Sequence, residues 1–346
     1  MNTEQSTIVV GAPLFNTDPY KSSRFPLGQK SLMLRVIRET TNPTQIFRNM
    51  ALEHVSIVLA LRSMGFQFQI LLSGQEAAQS QIADIYGRIG TQFINCPQLS
   101  PRHAGFPRDI ATSFSSVTLI SDELSGNEKS FVERITANGK PTMRSPYGQG
   151  GRVLSRKNVA LISAKLWRED RLGKLSITTL EAQTEDLRRN RIRFGLLPDI
   201  VVEESNSRMN IVAPEDHIDF TAGLLEDQRG NLHLIVDPKW HSGFTDPFAG
   251  PRFGPKETIE RVRSVCEKLE ITLHVPKTLT VPLSIGFVQF ENGHVLMTGG
   301  DDNVAEIVAN IIGSEKVHRT EIPIQHYPVW SNAGVHCIIG QFAINT

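Results

Sequence analysis

The sequence predicts an α/β protein assembled from repeated hairpin–helix–strand units, and three observations carry that expectation. Two consecutive stretches of the C-terminal half spell the same order of elements. Turn residues fall where the repeats need them. No Pro/Gly/Ser-rich linker, low-complexity tract or long charge block divides the 346 residues, so a single domain over residues 1–346 is expected.

The elements follow from apolar periodicity. Ile218–Leu225 and Leu232–Val236 are apolar runs parted by a polar turn with Gly230-Asn231, which reads as a β-hairpin. A helix is expected from about Lys256 to Leu269, with Ile259, Val262, Val265 and Cys266 on one face, then a strand over Ile271–Val275. The order repeats: a hairpin Ile285–Phe290 and His294–Thr298 turning at Asn292-Gly293, a helix from about Asn303 to Ile312, and a strand near Glu321–Ile324. Upstream, Asn42-Pro43 can cap a helix to Met64 that Gly65 stops, with the strand Phe66–Leu72 after it. Ser116–Ile120, Val159–Ile162, a Thr179–Asn190 helix and an Ile200–Glu203 strand fit further copies of this ββαβ unit. The pattern alone does not fix their number.

Composition narrows function by exclusion. Lys+Arg and Asp+Glu balance at 36 each without a long basic run, so nucleic acid is not an expected partner. The apolar run Ile8–Val10 is too short for a membrane span, and Met1–Ala12 lacks a basic n-region. No membrane partner and a cytoplasmic location are therefore expected. Three widely spaced cysteines, Cys96, Cys266 and Cys337, fit neither a disulfide framework nor a closed zinc site. The ten histidines show no His-x-x-x-His spacing, and no Gly-x-Gly-x-x-Gly or phosphate-binding loop follows a predicted strand. Neither a metal nor a cofactor is indicated. The sequence is compatible with a homo-oligomer and selects no assembly.

Several residues could carry chemistry. Cys337 ends the run Ser331-Asn332-Ala333-Gly334-Val335-His336, where small, turn-forming residues lead into an apolar strand. A lone cysteine in such a place is more often a buried structural thiol than a nucleophile. His217 and Asp219 lie two apart at the start of an expected strand, which would put both on one face; the plainer reading is a solvated strand end. Asp109 follows Arg108 ahead of the strand-like Ile110–Ile120 and can be an ordinary loop carboxylate. Gln149-Gly150-Gly151-Arg152 reads locally as a hairpin turn. Trp240-His241-Ser242 with Asp246 reads as a surface loop, and Gly299-Gly300-Asp301-Asp302 as a helix N-cap.

The order of these motifs is more informative than any one of them. Arg-Asp before a strand, a polar-Gly-Gly turn, His-x-Asp opening a hairpin and a C-terminal Gly-x-His-Cys together resemble the pentein superfamily of guanidine-modifying enzymes, over most of the chain. His217-Ile218-Asp219-Phe220-Thr221 is most similar to the amidinotransferase branch, and Gly334-Val335-His336-Cys337-Ile338 to that branch and the agmatine deiminases. The resemblance implies a five-bladed α/β propeller of ββαβ units with pseudo-fivefold symmetry around a central pocket. It implies a small guanidino substrate such as arginine, with Cys337 as nucleophile, His217 as acid and base, and Asp109 and Asp219 as guanidinium clamps. Amidino transfer and hydrolysis share these residues.

Two positions depart from the pattern. Most hydrolase members carry Glu before the paired glycines and Asp or Asn after them; here Gln149 and Arg152 stand there, and both are candidate substrate contacts. Gln keeps the shape of Glu but forfeits ~1–3 kcal/mol of a charge-assisted contact. The departure keeps a second class open, a pentein-fold protein that binds without catalysing. A conventional two-domain α/β enzyme is the third alternative.

Overall fold

A computed structural model of the chain describes residues 7–10, 43–66, 68–72, 92–95, 98–100, 103, 106–136, 141–145, 148, 150–164, 184–198, 217–242, 253–281, 284–324 and 335–342. Along these run β1 (Thr7–Val10), α1 (Pro43–Ser63), β2 (Phe68–Leu72), β3 (Gln92–Asn95), β4 (Ala111–Ser113), β5 (Thr118–Ser121), α2 (Gly126–Thr136) and β6 (Thr142–Ser145). Then come β7 (Val153–Arg156), β8 (Val159–Ser163), β9 (Arg193–Leu197), β10 (Ala222–Glu226), β11 (Leu232–Val236), α3 (Pro255–Leu269) and β12 (Ile271–His274). The last are β13 (Val288–Gln289), β14 (Val295–Met297), α4 (Asp302–Ile312), β15 (Val317–Arg319), α5 (Val335–Ile338) and β16 (Ile339–Phe342).

The described strands form five small sheets, in the orders 16-1-2-3, 4-5-6, 7-8-9, 10-11-12 and 13-14-15. In each, the first two strands pair antiparallel and the next runs parallel to the second. Parallel neighbours need a crossover, and in each sheet a helix joins the second strand of the order to the next: α1, α2, a helical stretch at 184–189, α3 and α4; the connection from β2 to its other parallel neighbour β3 lies outside the described residues. The ββαβ order is therefore present five times. The first sheet draws its opening strand from the far end of the chain, with Ile339 opposite Val10. That pairing brings α5, and with it Cys337, back beside the N-terminal strand.

Local chemistry explains the element ends. Pro255 starts α3 with its φ preset, and Val262, Cys266 and Leu269 line its buried face. Asp301 caps α4 by accepting from the Val304 amide, and Val304, Val308 and Ile312 repeat at the helical period into the core. The hairpins turn at Gly230 and Gly293, both at positive φ (87° and 83°), a region open to glycine at little cost. Neighbouring sheets share apolar clusters: Phe114, Leu119, Val153 and Ile162 join the second sheet to the third, and Leu225, Ile235, Phe287 and Val295 join the fourth to the fifth.

Several expected boundaries differ. Residues 218–220 are a helical turn and the strand begins only at Ala222, because the Thr221 amide bonds back to the Ile218 carbonyl at 3.1 Å. The strand expected at Glu321–Ile324 lies earlier, at Val317–Arg319, where it runs beside β14. The third sheet closes with β9 at Arg193–Leu197; Ile200–Glu203 lie outside the described residues. Trp240 and Ser242 are each 1% exposed, so this stretch is core and not surface loop; Asp246 lies outside the described residues.

Two buried carboxylates hold the connections that lead to the sheet openings. Asp301 accepts from the Thr280 and Val281 amides and the Ser284 hydroxyl, in addition to capping α4. Asp301→Ala strands these donors, and we expect a loss of ~2–4 kcal/mol in urea unfolding. Glu128 on α2 accepts from His103 Nδ1 (2.7 Å) and the Ser100 and Ser125 amides. Burial alone would raise its pKa, but these hydrogen bonds outweigh burial and hold it at about 2. Its contribution is complete above the ordinary carboxylate pKa and lost as pH falls through about 2. Glu128→Gln should therefore lower stability at pH 7 and flatten the acid side of the stability–pH curve, measured by urea unfolding from pH 7 to pH 2.

Candidate active site

Four of the five sheets open from a short helical turn: Pro107–Asp109 before β4, Gly150–Arg152 before β7, Ile218–Phe220 before β10 and Val335–Ile338 before β16. The turns pack in series, α5 on 107–109, 107–109 on 150–152, and 150–152 on 218–220. Pro107 presets the first turn, which the Asp109 amide closes on the Phe106 carbonyl at 2.9 Å. The fifth sheet joins through the His336 amide, which donates to the Gly286 carbonyl at 3.0 Å.

Where the turns meet, the Cys337 thiol donates to Asp219 Oδ2 at 3.2 Å, and His336 Nδ1 donates to the same oxygen at 2.9 Å. Asp219 is 2% exposed and Asp109 5%. Burial raises the pKa of the Asp219 carboxyl, but the hydrogen bond from the His336 ring, the neighbouring His336 and His217 imidazoles and the hydrogen bond from the Cys337 thiol outweigh it, so the carboxyl lies below its usual range and is ionised. An ionised carboxylate only accepts, so Nδ1 of His336 carries the proton. Burial, then the Arg108 charge, hold His336 below the ordinary histidine pKa, which leaves it a neutral donor. Asp219 Oδ1 is buried without a hydrogen-bond partner among the described residues.

Arg108 is the cation of this cluster. Burial pulls its pKa down, and Asp219, the Cys337 thiol and Asp109 act in the opposite direction. It also lines a cavity of about 340 Å³, bounded by the opening strands of several sheets, together with His336. Cys337, Asp109 and Asp219 do not line that cavity.

The paired glycines serve close approach, not a hairpin turn. A Cβ on Gly150 would lie 2.2 Å from Arg108 Cγ, and one on Gly151 would lie 2.3 Å from His217 Nδ1. The backbone at 150–151 thus lies flat against the two residues that flank the carboxylates. Arg152 points to Glu123, with Nη2 2.8 Å from Oε1, so a carboxylate already meets its charge. Gln149 lies outside the described residues. Cys266 is buried on α3, where desolvation pushes its thiol up to about 12, the mark of an inert cysteine. Cys96 lies outside the described residues.

Sequence reasoning passed over Arg108 and His336. Each is the chain neighbour of a residue it did single out. Strand alternation would point such a neighbour away, whereas a helical turn advances only ~100–120° per residue and leaves neighbours room on one side. Among the described residues, no helix is long and apolar enough to cross a membrane, and no group of three or more His, Cys, Asp or Glu side chains is arranged to hold a metal.

No family profile matches the sequence, and no curated protein matches it significantly. Solved structures do. Agmatine deiminase from C. jejuni superposes with a TM-score of 0.56 at 12% identity, covering 98% of this chain and 93% of that one. A Cys-to-Ser variant of the C. jejuni enzyme with substrate bound gives 0.57 at 12% identity, with the same coverage. At this identity the likeness establishes the fold, a pentein-like α/β fold.

The close approach at the glycines has a measurable consequence. Gly151→Ala is expected to cost ~1–3 kcal/mol in denaturant unfolding, because its Cβ must displace His217 or the turn. Gly126→Ala, whose Cβ would meet nothing within 4 Å, should stay within ~0.5 kcal/mol of wild type or stabilise slightly.

Proposed function

We propose that this chain is a cysteine-dependent enzyme acting on a guanidino compound, through a covalent amidino-thioether on Cys337. One observation carries the reading: the Cys337 thiol and a buried, ionised Asp219 share one contact, beside Arg108 and among turns that also bear His217 and Asp109. We read the five sheets as blades of one pseudo-fivefold propeller spanning 1–346, with the opening turns gathered at its axis.

The chemistry follows from the charges. A guanidinium carbon is a poor electrophile and must be held in its cationic form while sulfur approaches. Asp219 Oδ1 and Asp109 accept its N–H groups, and the bound cation offsets the repulsion between a thiolate and Asp219. His217 holds the thiol proton. Sulfur attacks the guanidinium carbon, a C–S bond forms, and the C=N electron pair moves onto nitrogen. The leaving nitrogen takes the proton from His217, the C–N bond breaks and the amine departs. His217 then deprotonates the incoming nucleophile, which adds to the amidino carbon, and the C–S pair returns to sulfur. With water the net reaction is hydrolysis, and with an amine it is amidino transfer. The deiminases of the same fold favour hydrolysis. Gln149 and Arg152 remain the proposed contacts that select the substrate. The scheme uses only side chains of this chain and a small-molecule substrate.

Gln149 and Arg152 in place of acidic residues are what favours the alternative, a binding protein without turnover. Incubation with arginine, agmatine and methylarginines, with and without glycine, and assay for ammonia, ureido product and released amine decides between them. We expect turnover of at least one guanidine and its loss by at least ~10³-fold in Cys337→Ser. Chloroacetamidine should label Cys337 rapidly, with protection by substrate, and Cys266 slowly. Slow, equal labelling without turnover would establish the binding protein.

A further inference from the structure

We infer that His336 is a positioning residue, which aims and orients the Asp219 carboxylate so that one oxygen meets the thiol and the other is left for the cation. The inference rests on the proposed function. It concerns a residue whose side chain acts through Asp219 and does not itself touch the reacting atoms.

The geometry is over-determined. The His336 amide is tied to the Gly286 carbonyl at 3.0 Å and its ring to Asp219 Oδ2 at 2.9 Å, so one residue links the openings of the first, fourth and fifth sheets. Without the ring, the described hydrogen bond left to fix χ2 of Asp219 is that from the Cys337 thiol, because its other oxygen has no hydrogen-bond partner among the described residues. With the ring donor in place, Oδ2 is fixed on the Cys337 side and Oδ1 is aimed elsewhere. The ring can do this as a neutral group, so it supplies the hydrogen bond without adding a positive charge where a cationic substrate must bind.

The charged and titratable groups around the pair are Arg108 and Asp109 from the 107–109 turn, His217 and Asp219 from the 217–220 segment, and Cys337 on α5 itself. Of these, only His336 and Cys337 hydrogen-bond Asp219 among the described residues. Removing the ring leaves the carboxylate with the thiol alone and less favoured in its ionised form. The acid limb of any reaction that needs ionised Asp219 must then move to higher pH.

Asparagine and leucine have nearly the same shape, and only asparagine can donate where Nδ1 stands. His336→Asn, His336→Leu and wild type are therefore compared by the rate of Cys337 labelling with chloroacetamidine across pH, by labelling with uncharged iodoacetamide, and by urea midpoint. We expect H336L to label with the amidine at least ~10-fold more slowly, with its acid limb shifted upward. Its iodoacetamide rate should change far less, and H336N should stay within about threefold of wild type. Equal rates in H336L and wild type, or equal impairment in H336N and H336L, would overturn the assignment. A chain that folds as H336N but not as H336L would also overturn it, by making the ring a structural support. Failure of wild type to label selectively at Cys337 would instead remove the proposed function, so the two failures are distinct.

Discussion

The site depends on one buried carboxylate. Asp219 is surrounded by protein, ionised, and bonded through a single oxygen to the only two donors the described structure offers it, the Cys337 thiol and the His336 ring. A buried charge costs several kcal/mol unless hydrogen bonds and nearby charge compensate it. Here the compensation comes from elements far apart in sequence: Arg108 ahead of β4, His336 and Cys337 on α5. The carboxylate can stay charged only if those segments are brought together, so the closure of the first sheet by β16 is a condition of the site as well as of the fold.

The repeated unit supplies that convergence. Each antiparallel pair needs an entry, and in four sheets the entry is a one-turn helix whose last residues sit where the first strand begins. Five copies of one unit thus present several short turns to a common region. One turn carries a carboxylate, one is reduced to glycine backbone, one carries a second carboxylate and one the thiol. The glycines shape the cluster as the charged groups do, since any Cβ at 150 or 151 would occupy the space of Arg108 or His217.

This explains how much was legible in the sequence. Helices α3 and α4, the hairpin turns at Gly230 and Gly293 and the cap at Asp301 follow from local periodicity and turn chemistry, and the structure has them within a residue or two. Cys337, Asp219, His217 and Asp109 were legible as an ordered set of motifs and not individually. What escaped is what depends on short helical turns in place of strand ends. Alternation made His217 and Asp219 face-mates and turned their neighbours away. In a helical turn consecutive residues share the interior, and Arg108 and His336 enter the cluster beside the residues that drew notice. The core role of Trp240 escaped for a related reason: its polar and glycine-rich surroundings look like loop, while its burial is decided by packing from elsewhere in the chain.

Formal charge connects the site to its ligand. The cluster gathers two carboxylates, Asp109 and Asp219, around a single guanidinium, Arg108. The cations nearby are already matched: Arg152 lies against Glu123, and Lys157 and Arg156 against Glu226. Under the proposed function, a ligand with a delocalised positive charge and several planar N–H donors would complement these carboxylates and donate to Asp219 Oδ1. A compact ammonium would satisfy the charge but not the planar set of acceptors. In the proposed mechanism, thiolate formation would then add one negative charge opposite a bound cation instead of beside a bare carboxylate, which would couple binding to activation of the nucleophile through Asp219.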